Sequence, residues 1–197
     1  MARVTKLFLT VLVLGALATL TVSSSYANTI TVTQTGVGSG TIGGAPFNGA
    51  AFTITEIADT SDVTSFLGGF DVADTSASIW ISGVGMLDFT VPTYTFVNQT
   101  NAVVGVGGPC CDLYDGPVNA AFSTWNMLSS IGPISGTADL IQWTANSVDT
   151  SGGILVFDNG PSDTVFTATV GTVPEPASGA LLLTALLAIG VIFAKRL

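Results

Sequence analysis

The chain contains no histidine and only four basic residues, and all four lie near its ends. Between residues 28 and 173 there is no Lys, Arg or His, whereas the same stretch holds twelve of the 13 acidic residues. Nucleic-acid binding depends on Lys and Arg contacts to phosphate. The central stretch is therefore predicted not to bind nucleic acid, and it cannot form a salt bridge within itself.

The missing His and Lys also exclude most catalytic arrangements. No Ser-His or Cys-His nucleophile can be assembled, and zinc sites usually need His or several Cys. Carboxylates are the titratable groups that remain for catalysis or metal binding. A pair of them could form turns, bind calcium or act as the two catalytic groups of a glycosidase. We predict a non-enzymatic protein with no catalytic residues and no required cofactor, with calcium as the open alternative. Three pairs are spaced by three residues: Asp59 and Asp62, Asp71 and Asp74, Asp112 and Asp115.

Cysteine is also scarce, because the chain has only the adjacent residues Cys110 and Cys111. Neighbouring Cα atoms are about 3.8 Å apart, which is shorter than the usual span of a disulfide. Exposed thiols tend to be oxidised outside the cytoplasm. The pair is therefore predicted to form a disulfide, either vicinal or between two chains, and the reduced state stays an alternative.

The N-terminal segment has the features of a secretory signal peptide. Two basic residues are followed by an apolar run over residues 7–20, which is too short to span a membrane comfortably. Ser25 and Ala27 then provide small residues at the −3 and −1 positions of a cleavage site. We predict that residues 1–27 are a signal peptide and that signal peptidase cuts after Ala27.

The C-terminal segment has the features of a membrane span. Residues 177–194 are 18 residues without a charge, and as a helix they would be about 27 Å long, enough to cross the hydrocarbon core. Lys195 and Arg196 follow directly and begin a short basic tail, residues 195–197. The positive-inside rule keeps these cations in the cytoplasm, so the central domain is predicted to face outward.

A short motif precedes this span: Val173, Pro174, Glu175 and Pro176. With the apolar helix and the basic tail, this segment resembles the PEP-CTERM sorting signal of bacterial surface and exopolysaccharide-associated proteins. The resemblance covers only residues 173–197, and its basic tail is shorter than is common in the family. It implies nothing about the central domain.

The resemblance implies that an exosortase-type membrane protease cuts near the motif. The protein would then be anchored transiently in the inner membrane before it reaches the cell surface or the extracellular matrix, where polysaccharide is an expected partner. The two prolines also suit this role physically, because they favour an extended backbone that a protease cleft can bind as an added strand.

The central domain, residues 28–172, has the pattern of an all-β protein. Short runs alternate between apolar and polar residues, and twenty glycines provide turns and disfavour helices. We predict an antiparallel β-sandwich, jelly-roll-like or immunoglobulin-like, in which residues 120–130 are the one place where a short helix could lie. The predicted strands include residues 29–33, 52–55, 78–82, 94–97, 102–106, 140–143, 154–157 and 165–170.

The composition favours a structural or interaction protein exported to the cell surface. A carbohydrate-binding module is the first alternative, because Trp80, Trp125 and Trp143 would make a stacking platform if they were exposed together. A carboxylate-based glycoside hydrolase is the second alternative.

Overall fold

The structure is a computed structural model, and it describes residues 27–140, 143, 147–158 and 161–173. The described residues form one compact unit that runs from Ala27 to Val173. The predicted membrane helix, residues 177–194, and most of the predicted signal peptide lie outside the described residues.

The described chain is all-β, as the alternating pattern predicts. Threonine and other β-branched residues favour its strands, and the glycines fall mainly at turns and close approaches. The strands are β1 (Ala27–Ile42), β2 (Ala45–Asp59), β3 (Thr64–Phe66), β4 (Gly69–Ala73), β5 (Ser76–Ile81), β6 (Gly85–Asp88), β7 (Tyr94–Asn98), β8 (Val103–Gly107), β9 (Asp112–Val118), β10 (Ile131–Asp139), β11 (Val148–Thr150), β12 (Gly153–Phe157) and β13 (Pro161–Val173).

All the described strand pairs are antiparallel and belong to one continuous sheet. The strand order is β3-β4-β7-β8-β9-β10-β13-β1-β2-β5-β6, and β12 pairs with both β11 and the end of β1. The long strands β1, β2 and β13 lie side by side at the centre of this order. They provide the broadest regular surface in the described part of the chain.

The sheet folds back on itself, because strands far apart in its order share a core. The ring of Phe52 on β2 lies 5.7 Å from that of Tyr114 on β9, although three strands separate β2 from β9. Val72 on β4 likewise shares a core with Ile30 on β1. The result is a sandwich-like arrangement of two packed layers with buried apolar side chains between them.

The buried apolar side chains form two clusters. Each large apolar side chain buried in them contributes about 1.5–3 kcal/mol to stability. The first cluster contains Ile42, Phe47, Ala50, Phe52, Ile54, Ile79, Ile81, Leu87, Val106, Leu113, Tyr114, Ala138, Leu140, Trp143, Val148, Leu155 and Phe157. The second contains Ile30, Val32, Ala58, Val72, Val97, Val104, Phe122, Trp125, Met127, Phe166 and Ala168.

Two local predictions need correction or refinement. The strand predicted at residues 140–143 is wrong at both of its described residues, since Leu140 and Trp143 lie outside the strands and are buried. Their apolar character reflects packing in the core rather than a strand. The short helix predicted within residues 120–130 is a single 3₁₀ turn, Ala120–Ser123, capped by the Asn119 side chain.

Candidate functional site

The predicted processing positions stand at the two ends of the β domain. Ala27 begins β1, Val173 ends β13, and these two residues are direct partners in the β1–β13 ladder. Pro174, Glu175, Pro176, Lys195 and Arg196 lie outside the described residues.

No membrane-spanning helix was found among residues 27–140, 143, 147–158 and 161–173. The predicted span at residues 177–194 falls outside these ranges.

The two cysteines lie in the loop between β8 and β9. The structure joins the sulfur atoms of Cys110 and Cys111, with their Cα atoms 3.8 Å apart, in the arrangement of a vicinal disulfide. The loop is also closed by a backbone bond from Gly108 N to Cys111 O, 2.9 Å long. The intermolecular link and the reduced pair stay alternatives for solution.

The three carboxylate pairs have different environments. Asp59 accepts a 2.8 Å hydrogen bond from Ser61 N and caps the 3₁₀ turn that contains Asp62, as a turn-forming residue does. Asp112 and Asp115 instead lie within strand β9. Asp74 directly follows β4, and its carboxyl group is largely buried. Its neighbour there is a residue that the three-residue spacing of the aspartates did not indicate.

That neighbour is Glu56, whose side chain is only 1% exposed. Alternation along β2 explains this position, because Ile54, Glu56 and Ala58 all face inward. Ile54 belongs to the first apolar cluster and Ala58 to the second, so the Glu56 carboxyl lies where the two clusters meet. Gln34 on β1 is also fully buried, and it lies diagonally opposite Glu56 in the β1–β2 ladder.

The Glu56 and Asp74 carboxyl groups are neighbours whose pKa values depend on each other. Thr95 Oγ1 donates to Asp74 Oδ1 at 3.2 Å, and Asp74 N donates to Thr93 O at 3.0 Å.

Burial is the main reason why this pair retains a proton. It raises the pKa of Glu56 well above its usual value, and the nearby Asp74 carboxylate raises it further. Burial also raises the pKa of Asp74 to about 6, although hydrogen bonds from Thr93, Glu56 and Thr95 oppose that rise. Both shifts favour a proton on this pair at a pH where free carboxyl groups are ionised.

A second acidic group lies where β9 meets β10. Asp115 and Asp139 are register partners across these strands. Burial raises the pKa of Asp115 to about 6, and Asp112 and Asp139 add to the rise. The Tyr94 hydroxyl donates to Asp112 Oδ1 at 3.0 Å, and burial followed by the charge of Asp112 raises the pKa of Tyr94 to about 12.

The glycine at position 107 makes that tyrosine contact possible. Gly107 on β8 is the register partner of Tyr94 on β7, and a Cβ at this position would collide with the Tyr94 ring. The absence of a side chain therefore lets the ring lie over β8 and its hydroxyl reach Asp112.

The described residues include no group of three or more His, Cys, Asp or Glu side chains arranged to hold a metal ion. Calcium was a candidate because residues 28–173 hold twelve acidic side chains and no basic side chain to neutralise them. Calcium binding stays a prediction that needs a solution measurement.

The three tryptophans do not form a common platform. Trp125 is 4% exposed and packs against Phe166 at 5.6 Å, while Trp143 is fully buried and packs against Phe157 at 5.0 Å. Trp80 is different, because its side chain is 41% exposed on the outer side of β5. One aromatic ring rather than three is available for stacking at this surface.

Trp80 lies on a surface of aligned hydroxyl groups, which we call the hydroxyl face. Along β1 the inward residues Ile30, Val32 and Gln34 are buried, so the alternate threonines point outward and are half-buried. The same alternation holds on β2, β5 and β13. The hydroxyl face comprises Thr31, Thr33, Thr35, Thr53, Thr55, Ser78, Trp80, Thr167 and Thr169.

Strand register aligns these residues in rows across the sheet. One row runs through Thr167, Thr33, Thr55 and Ser78. The next contains Thr35, Thr53, Trp80 and the exposed Met86 of β6. Such rows are about 6.7 Å apart along the strands, with residues about 4.8 Å apart within a row.

No charged side chain is among the residues of the hydroxyl face. Acidic residues stand only at its borders, for example Asp88 beyond Ser78 and Asp163 on the β10 side. A shallow open depression lined by Ser135, Thr137 and Asp163 adjoins the face there. The face is thus an ordered, uncharged array of hydrogen-bonding groups with one aromatic ring near its edge.

No family model, curated protein or solved structure matches this chain. The functional interpretation therefore depends on the residues described above.

Proposed function

We propose that this chain is an exported structural or interaction protein of the cell surface or extracellular matrix, with a β-sandwich domain that does not catalyse a reaction. The observation that carries the proposal is the hydroxyl face: an uncharged array on the central strands β13, β1, β2 and β5. A surface of this kind suits contact with other molecules, and it contains no group able to transfer protons near neutral pH.

The route to the surface is part of the proposal. Signal peptidase removes residues 1–27, the helix over residues 177–194 holds the protein in the inner membrane, and an exosortase-type protease cuts near Pro174–Pro176. The extent of the β unit supports this order of events, because it begins at Ala27 and ends at Val173. Both predicted cuts therefore fall at the ends of strands and spare the core.

Cell fractionation of the native host tests the proposal. The protein recovered from the surface should lack residues 177–197, and replacing Pro174, Glu175 and Pro176 together with alanine should leave the longer form in the inner membrane. Gly171→Ala is the matched control, since a Cβ at position 171 contacts nothing within 4 Å. Recovery of the Lys195–Leu197 peptide in surface material, or of the protein in the cytoplasm alone, would refute the sorting proposal.

A carbohydrate-binding module remains the second candidate, and the exposed Trp80 favours it. A glycan array probed with the exported protein separates the two candidates. The glycoside hydrolase alternative has less support, because Glu56, which neighbours Asp74, has a side chain that is only 1% exposed. Glycosidases instead use carboxyl groups that flank a substrate at a separation of about 5 Å or more.

A further inference from the structure

We infer that the hydroxyl face is the docking surface for an uncharged polysaccharide, with the Trp80 ring as its apolar contact. This inference rests on the export proposed above and develops its second candidate, a carbohydrate-binding module, by naming the surface and the class of partner. It combines the geometry of the rows, the exposure of Trp80 and the charge of the domain.

The rows give the surface a repeating set of hydrogen-bonding groups. Each threonine or serine hydroxyl can donate one bond and accept others, so a polymer with many hydroxyl groups can pair with several of them at once. Thr33 and Thr55 are register partners at the centre of the face. Thr35 Oγ1 also accepts a 3.1 Å bond from Val165 N, which fixes its position at the β1–β13 boundary.

Trp80 provides what the hydroxyl groups lack. Its ring is 41% exposed and lies in the same row as Thr53 and Met86, and Met86 is 62% exposed. The C–H face of a sugar ring is apolar, and packing it on an indole ring removes apolar area from water on both partners. The hydroxyl groups at the edge of that sugar would lie over the adjacent threonines.

Charge selects among polymeric partners. Residues 28–173 contain twelve acidic side chains and no basic ones, so the field around the domain repels polyanions. Acidic polysaccharides and nucleic acids are thus disfavoured. Because the face itself carries no charge, binding of an uncharged polysaccharide would not remove any ionised side chain from water. A protein partner is less well matched, since most residues of the face are threonines, whereas protein interfaces are enriched in aromatic residues, Met and Arg, and of these the row of Trp80 provides only Trp80 and Met86.

Binding of the full-length protein, purified in mild detergent, to uncharged probes tests the inference. Suitable probes are dextran, galactomannan and cellulose, with alginate as the anionic comparison. Trp80→Ala should weaken binding to at least one uncharged probe about tenfold or more, as loss of a buried aromatic contact does. Phe66→Ala is the matched control: Phe66 is 40% exposed but lies on β3, at the opposite end of the strand order. It should bind as the native protein does.

The hydroxyl groups are tested separately from the ring. Thr33→Val with Thr55→Val keeps side-chain shape and strand preference but removes two hydroxyls, and binding should fall several-fold. Thr33→Ser with Thr55→Ser should retain most of it. Circular dichroism and the unfolding midpoint of each variant verify that the domain is folded.

Three outcomes would overturn the inference: no uncharged probe binds, alginate binds equally well, or Trp80→Ala binds as the native protein does. A dimer that Trp80→Ala abolishes would assign the face to a second copy and would also overturn it. Each of these results leaves the proposed export and sorting intact, since those are judged by fractionation. A cytoplasmic location would refute the proposed function instead.

Discussion

Replacing Glu56 with glutamine removes the proton from the buried carboxyl pair while preserving its shape. The unfolded chain ionises this side chain near its ordinary pKa of 4.5, whereas burial holds it protonated in the folded state. Retaining the proton costs at most about 1.4 kcal/mol of folding free energy for each pH unit above 4.5, so about 3 kcal/mol at about pH 7 is an upper limit. Glutamine does not incur this cost.

The sign of the effect follows from the raised pKa values of both acids. The folded protein holds protons that the unfolded chain releases, so stability is highest at about pH 4 and below. It falls as the pH rises through the pKa of Asp74, about 6, and on towards that of Glu56. Glu56→Gln should therefore match the native protein at about pH 4 and exceed it in stability at about pH 7, by up to about 3 kcal/mol, with a smaller dependence of stability on pH between them.

Urea unfolding followed by tryptophan fluorescence measures this difference, because Trp125 and Trp143 are buried in the two apolar clusters. Asp149→Asn removes an exposed carboxyl on β11 and serves as the control for lost charge. A Glu56→Gln variant whose stability relative to the native protein does not change with pH would refute a proton held by the pair. A pH-dependent gain in stability of equal size in Asp149→Asn would also refute it, because the gain would then come from the lost charge alone.

Three further predictions concern the rest of the chain. Mass spectrometry of exported protein should give Asn28 as the first residue, and intact protein that retains Met1 outside the cytoplasm would contradict cleavage after Ala27. If calcium binds the acidic domain, the melting temperature should rise in calcium beyond that in sodium chloride of equal ionic strength, because a ligand that prefers the folded state stabilises it; identical melts in calcium and in chelator would exclude this. Peptide mapping without reduction should show Cys110 and Cys111 linked within one peptide, whereas a dimer that dissociates on reduction would indicate a link between chains.

The fold class was predictable because alternation is a local property. The run Thr29–Thr33 alternates with period two, and β1 extends through it as predicted. The sheet order was not predictable, because pairing of β13 with β1 joins residues more than a hundred positions apart and leaves no local pattern. The error at Leu140 and Trp143 has a related cause: a short apolar run gives the same pattern whether it lies in a strand or packs into a core from a loop.

The candidate sites were less accessible to sequence reasoning. Spacing suggested Asp71 as the partner of Asp74, but the sheet brings Asp74 to Glu56, eighteen residues earlier. One local signal was available: Glu56 occupies an inward position in the alternation of β2, where a charged residue is unusual. The hydroxyl face likewise needed the register between strands, since alternating threonines on one strand do not reveal which neighbours extend the row.

The pairing of β1 with β13 at their outer ends has a mechanical consequence, and it persists after the predicted cut because Asn28 pairs with Thr172. The domain's first and last strands are antiparallel neighbours whose outer ends lie together, so a force that pulls these ends apart acts across the strands and along their hydrogen bonds. It would load the bonds of this ladder one pair at a time instead of all at once, and β1 and β13 would peel apart progressively. A load applied through the hydroxyl face and only one end would not act on this ladder in that direction.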